Sequence, residues 1–81
     1  MIVYVLKSGM DGRFYVGMTQ DLNKRLKDHN AGRTKSTKGY RPWKLIYHES
    51  YPDRDTARKR EIYLKSGYGK QWLKKKFQLV P

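Results

Sequence analysis

Ile2-Val3-Tyr4-Val5-Leu6-Lys7, then Ser8-Gly9-Met10-Asp11-Gly12, then Arg13-Phe14-Tyr15-Val16-Gly17-Met18: these three stretches, in this succession, decide the fold. The first and third are β-branched and aromatic, with the alternation of strands. The segment between them is turn chemistry closing on Asp-Gly, short enough to join two strands directly. They therefore form a hairpin, and the first two strands are antiparallel. Downstream, Thr19 reads as a helix N-cap with Asp21 in the first turn, where a carboxylate favours the helix dipole. Leu22 and Leu26 share one helical face and Gly32 is a stop, so a first helix spans about 20–31.

Residues 32–42 are polar, basic and loop-like. Trp43 to Tyr51 reads as a third strand, entered through Pro42. Asp53 or Asp55 caps a second helix running to about Ser66. A short third helix around Lys70 to Phe77 brings Trp72, Lys76 and Phe77 near one another, with both aromatic rings inward. The order is β-β-α-β-α-α, which predicts an α+β fold: a small three-stranded antiparallel sheet flanked by helices. Neither repeat, low-complexity tract nor linker interrupts the chain, so residues 1–81 are read as a single domain.

Charge gives the first functional clue. Nineteen Lys and Arg face seven Asp and Glu, a net charge of +12 on 81 residues. Self-repulsion at this density opposes folding, and an anionic partner relieves it. Nucleic acid is the partner this favours. A membrane surface fits less well, because no long helix pairs a basic face with a broad apolar one. No run approaches the ~18 apolar residues of a membrane span, and Met1 leads straight into a strand without a basic leader. With no cysteine, neither a disulfide framework nor a thiolate metal site is available. The expected location is the cytoplasm.

Several side chains stand out for chemistry. Tyr4 and Tyr15 lie on the two strands of the hairpin. Gly17, inside a strand, removes a side chain and lets another group approach the backbone. Arg25 and His29 are one helical turn apart and share a face, at the edge between core and solvent. Glu61 lies on the same stripe as Ala57 and Leu64, the inward face of the second helix. A carboxylate there needs a cation, either from the protein or a metal. The two histidines, His29 and His48, are far apart and without cysteine, so they make no zinc site. Gly67-Tyr68-Gly69-Lys70 lacks the upstream glycine and the Ser or Thr of a phosphate-binding loop.

These residues stand in an order that resembles a known family. Tyr4, then Tyr15-Val16-Gly17, Thr19-x-Asp21-Leu22-x-x-Arg25-Leu26-x-x-His29-Asn30, Ser36-Thr37, Arg41-Pro42-Trp43-x-Leu45 and Ala57-x-x-Arg60-Glu61-x-x-x-Lys65 resemble the GIY-YIG nucleases over nearly the whole chain. The resemblance is greatest to short stand-alone bacterial members, and it extends to the nuclease domain of the excision-repair incision subunit. It implies catalytic roles for Tyr4, Tyr15, Arg25, His29 and Glu61, with Glu61 holding one Mg²⁺ or Mn²⁺ ion. Two departures are visible. Ile2 and Val3 replace the glycine and isoleucine of the first motif element, and Met18 stands where some branches carry lysine.

The residue types suit phosphodiester hydrolysis. Its transition state places negative charge on non-bridging and leaving oxygens, so positioning and charge stabilisation dominate. A hard cation can be anchored by one carboxylate and keep several waters. Arg25 presents a planar fork to phosphate. A tyrosine hydroxyl, with an ordinary pKa of about 10, needs help to activate water, from nearby cations or from His29. Whether Tyr4 or Tyr15 does so stays open at this level. Lys35, Lys38, Arg41 and Lys65 are the expected contacts to DNA, and Lys74-Lys75-Lys76 reads as a solvated run. A partner protein would supply target specificity. The main rival is a nucleic-acid-binding module without catalysis. An RNA-recognition motif is rejected, because its aromatic strands are separated by a helix and these are joined by a turn.

Overall fold

The computed structural model describes residues 1–77; the last four residues of the 1–81 span lie outside the described residues. The elements are β1 (Ile2–Ser8), β2 (Phe14–Thr19), α1 (Leu22–Asn30), α2 (Lys35–Lys38), β3 (Trp43–Ser50), α3 (Arg54–Lys65) and α4 (Gly67–Phe77). The sheet is antiparallel throughout, with strand order β2-β1-β3. The α+β class and the β-β-α-β-α-α order stand, with the one-turn α2 added inside the segment read as loop.

The hairpin closes as its sequence requires. Ser8 Oγ accepts from the backbone N–H of Met10 at 3.0 Å and of Asp11 at 3.3 Å, and donates to the Tyr40 carbonyl at 2.7 Å. Gly12 takes a positive φ of 78°, a conformation glycine adopts without steric cost. Central strand β1 is covered on both faces. Its odd positions Val3 and Val5 join Val16, Ala57, Leu64 and Leu73 in one cluster, beneath α3 and α4. Its even positions Tyr4 and Leu6 join Trp43 in a second, against Leu22 and Leu26 of α1. The alternation in β1 therefore divides two apolar sets rather than core from solvent, the pattern of a strand buried on both sides. A bulge on β3 inserts Ile46 between the pairs Val5–Tyr47 and Leu6–Leu45. Ile46 and Tyr47 both reach the α3–α4 side as a result.

Two boundaries differ from the sequence reading, the starts of α1 and α4, and a third is decided between the two caps it left open. Asp21, not Thr19, caps α1: its carboxylate accepts from the Lys24 N–H at 3.1 Å. Thr19 Oγ1 instead accepts from the Asp21 N–H at 3.1 Å, a tight side-chain turn that delivers Asp21 to the cap. At α3 the cap is Asp53, accepting from Thr56 at 2.7 Å. Helix α4 begins at Gly67 rather than near Lys70, because Ser66 serves two helices. Its Oγ donates to the Tyr63 carbonyl at the end of α3 and accepts from the Gly69 N–H at the start of α4. Gly69 makes the corner tight enough: a Cβ there would lie 2.1 Å from the Tyr63 carbonyl oxygen. Trp72 and Phe77 pack on the core as expected, and the Lys76 ammonium lies 5.4 Å from the Trp72 ring centre.

Candidate active site

Tyr4 sits on β1, Tyr15 and Gly17 on β2, Arg25 and His29 on α1, and Glu61 on α3. The register decides how the first three meet. Tyr4 pairs with Gly17 and Leu6 with Tyr15, so both tyrosines rise from the same face of the sheet. The Tyr4 phenol lies across its partner glycine: a Cβ at Gly17 would be 2.5 Å from the hydroxyl and 2.7 Å from Cζ. The group that the strand glycine admits is thus the first tyrosine.

Helix α1 brings His29 down onto this face. His29 is fully buried, contrary to its expected place at the solvent edge, because α2 closes over it. Its Nε2 is 2.9 Å from Tyr4 Oη and its Nδ1 is 2.8 Å from Thr37 Oγ1. The second acceptor of the Thr37 hydroxyl favours one assignment of the protons. Thr37 Oγ1 donates to the Thr34 carbonyl at 3.3 Å, so it accepts from His29 Nδ1–H. Nε2 is then the free lone pair, and the Tyr4 hydroxyl donates to it. The rings form an aromatic nest: Tyr15 lies 4.9 Å from His29 and 6.1 Å from Trp43, both edge-on. Trp43 Nε1 donates to the Thr37 carbonyl at 2.8 Å, and Asn30 bonds both the N–H and the carbonyl of Trp43. Among the described residues, no buried side-chain polar atom lacks a partner.

The electrostatics follow the burial. The Tyr4 hydroxyl is pushed up to about 12, chiefly by burial, with Arg25 pulling it down and the charges of Tyr15 and Glu61 adding to the rise. Arg25, half-buried, is raised above its usual value by the Tyr4 hydroxyl. His29 is held below its usual value, first by burial and then by the Arg25 charge. The neutral pair Tyr4–His29 is the state at neutral pH. Glu61 is buried on α3, and its carboxylate pairs with Lys65 at 3.2 Å and more distantly with Arg58 at 3.9 Å. Both alternatives raised by its position are therefore in play: a protein cation is present, and the donor is a hard carboxylate oxygen. No group of three or more His, Cys, Asp or Glu among the described residues is placed to hold a metal ion. A lone carboxylate suits a divalent ion that keeps most of its waters, and does not suit a closed protein cage.

Comparison with known proteins places the chain in a family. The model of the GIY-YIG catalytic domain matches residues 1–76. The chain belongs to the GIY-YIG family. Among relatives, a UPF0213 protein of Bacillus pumilus is 44% identical over 77 residues, covering 94% of this chain and 72% of that protein. A UPF0213 protein of Staphylococcus aureus (strain Mu3) is 40% identical over 79 residues, covering 96% and 90%. The solution NMR structure of a UPF0213 protein from Bacillus halodurans superposes with a TM-score of 0.56 at 32% identity, covering 94% of this chain and 83% of that one. The short stand-alone GIY-YIG branch is thus the right neighbourhood, and the family is one of nucleases acting on nucleic acid.

Within the GIY-YIG frame, the candidate DNA contacts separate into two groups. Lys35 and Lys38 flank Thr37 on α2; Thr37 turns inward to His29 and both lysines turn out to solvent. Arg41 is exposed, and its Nε donates to the Lys38 carbonyl at 2.8 Å. Lys38 and Arg41 line a shallow cavity of about 560 Å³ with Asn30 and Pro42. Lys65 stands apart on α3, bonded to Glu61. Thr37, Asn30 and Trp43 are the positioning residues to which sequence reasoning gave no role, although all three lie in the string that carries the family resemblance.

Proposed function

We propose that this chain is a metal-dependent endonuclease that hydrolyses phosphodiester bonds in DNA, in the cytoplasm, with low sequence specificity or with structure-directed choice of target. One observation carries the reading: a hydrogen-bonded chain Tyr4–His29–Thr37 ends beneath an arginine that the family resemblance reserves for phosphate, within reach of the Glu61 charge. A binding module needs cations, and has no use for a buried phenol coupled to a neutral histidine.

Tyr4 is the base in this proposal, because among the described residues it is the one of the two tyrosines whose hydroxyl is hydrogen-bonded to a proton acceptor. As Tyr4 Oη takes a proton from the attacking water, its own proton passes to His29 Nε2, and Thr37 holds the ring in the receptive tautomer. No free phenolate is needed, which is why a hydroxyl with a pKa near 12 can serve. The hydroxide forms a bond to phosphorus, and the bond from phosphorus to the leaving oxygen breaks. Arg25 binds the non-bridging oxygens, where charge develops. Tyr15, half-buried, meets the substrate side of the nest and orders the water. Glu61 would hold one Mg²⁺ or Mn²⁺ ion, which when bound supplies Lewis-acid stabilisation of the leaving oxygen. Lys35, Lys38, Arg41 and Lys65 contact the backbone, and a partner protein supplies specificity.

The test is cleavage of plasmid, branched and single-stranded DNA with Mg²⁺, with Mn²⁺ and with chelator. The proteins are wild type, Glu61→Gln, Arg25→Ala, Tyr4→Phe, Tyr15→Phe and His29→Ala. Metal-dependent cutting, lost in Glu61→Gln and Arg25→Ala, supports the nuclease. Salt-sensitive binding with no cutting on any substrate favours a binding module. Wild-type rates in Tyr4→Phe and His29→Ala would remove the relay.

A further inference from the structure

The free edge of β2 faces the α3–α4 corner across two adjoining cavities. The first, of about 240 Å³, is lined by Tyr15 and Lys65 at one end and by Phe14 and Lys70 at the other. The second, of about 230 Å³, continues from Phe14 and Lys70 to Arg13 and Lys74. Because the two share Phe14 and Lys70, they form one groove running from the catalytic nest to the tip of the hairpin. Its floor is apolar, with Leu64 and Leu73 beneath Phe14. Every charged residue of its lining is a cation.

Those cations differ in their freedom. Lys65 is bonded to Glu61, and Arg13 is held by Asp11 at 2.8 Å and lies 3.6 Å over the Tyr40 ring. Lys70 and Lys74 are exposed on α4 and make no ion pair among the described residues. They stand one helical turn apart, about 5–6 Å between Cβ atoms, a spacing on the scale of successive phosphates along a strand.

An apolar, aromatic floor between cationic walls is the chemistry of a single nucleic-acid strand, whose bases need a flat apolar surface and whose phosphates need cations. A duplex keeps its bases stacked inside and would use the walls alone. We infer that this groove is a track for a single-stranded stretch flanking the cut site, with Lys70 and Lys74 on its phosphates and Phe14 against its bases. The inference rests on the nuclease reading and names the substrate feature that the site prefers: a duplex with a frayed or tailed end.

The test measures binding in chelator, so that cutting is not involved, to a blunt duplex and to the same duplex with a single-stranded oligothymidine tail. The proteins are wild type, Lys70→Gln/Lys74→Gln, Phe14→Ala, and a control, Lys27→Gln/Lys44→Gln, which removes equal charge from exposed positions on α1 and β3. The tail should strengthen wild-type binding. Losing two single-strand phosphate contacts should lower the salt slope on the tailed substrate by about 1.4, so between 50 and 200 mM salt the wild type loses about 7-fold more affinity than the groove variant. The control should keep the tail advantage, and Phe14→Ala should lose part of it without changing the slope. A tail that adds nothing to wild-type binding, an advantage that survives in the groove variant, or an equal loss in the control would each overturn the inference. Cleavage assayed alongside separates the two ideas. A tail effect without cutting counts against the nuclease alone, and cutting without a tail effect counts against the track alone.

Discussion

Replacing Gly17 with alanine would test the whole geometry of the nest through one methyl group. That carbon would arrive 2.5 Å from Tyr4 Oη, 2.7 Å from its Cζ and 3.1 Å from Tyr15 Cε1. Carbon and its neighbours settle near 3.5–4.0 Å, so the overlap is close to 1 Å. Tyr4 has nowhere to go: it is 1% exposed, and its hydroxyl is bonded to His29. Either β2 bows away from β1 or the phenol swings off the imidazole. Overpacking of this kind costs about 1–3 kcal/mol. At about 2 kcal/mol, a domain of this size loses about 8–16 °C in Tm. Thermal unfolding followed by circular dichroism reads the loss, and the His29 ring signals report whether Nε2 has lost its donor. Tyr4→Phe deletes the nearest atom of the clash but leaves Cζ, so it should cost less in the Gly17→Ala background than in wild type, by at least about 0.5 kcal/mol. A Gly17→Ala protein that melts with wild type, and whose double variant is additive, would show that the phenol is not pinned across this glycine.

Arg25→Ala should lower the cleavage rate by about 10²–10³, on the scale of removing one preorganised donor, with little change in Tm, since Arg25 is only half-buried. Thr37→Val keeps the volume but leaves His29 Nδ1–H buried without an acceptor; about 1–3 kcal/mol of stability should go, read by urea unfolding, together with most of the activity. The pH profile has a definite sign. His29 titrates below its usual value, so cleavage should rise through an inflection below about 6.5 and then stay flat. Stability should behave likewise: present in full above the unfolded-state pKa, it should fall as the pH drops through the folded one, and His29→Gln should flatten that fall in urea midpoints. Arg60→Met strips a carboxylate of its partner. Burial pushes Glu49 up, and Arg60 with the hydroxyls of Tyr47 and Tyr51 more than offsets it, so the variant should lose about 2 kcal/mol in thermal unfolding and more at neutral than at acid pH.

The hairpin was legible because its turn, Ser8 to Gly12, is short and closes on Asp-Gly, and the strands on either side carry the matching composition. Helix α1 was legible in existence and off at its start, since Thr19 and Asp21 are both cap-competent and only the local side-chain turn decides between them. Helix α2 leaves no periodic trace: Lys35–Lys38 is a single turn whose one buried residue is Thr37. That gap also hid the depth of His29, which a helix end would ordinarily expose and which α2 covers. Two glycines at the start of α4 masked its first turn, because their low helix propensity is overridden by the Ser66 cap and by packing on α3. The side chains proposed for the site, by contrast, were picked out through family resemblance, while the Tyr4–His29–Thr37 chain is visible only in the folded structure, since its three members come from three elements.

Tyr4 rides on β1, the one strand with a neighbour along each edge and a helical layer on each face. Opening fluctuations in small domains begin at termini, loop tips and edges, and reach a doubly flanked strand only when the whole domain melts. The phenol is therefore expected on the strand whose amides exchange most slowly among the described residues. Its neighbours differ: the hairpin tip, α2 and the outer rim of α4 can each loosen and re-form in sub-global steps without disturbing it. Amide hydrogen exchange would show this as protection of Tyr4 and Val5 equal to the global unfolding free energy, with lower values toward Met10 and Gly39. In the proposed nuclease, such a division would let the rim that meets nucleic acid adapt to differently shaped ends while the proposed proton relay keeps one geometry.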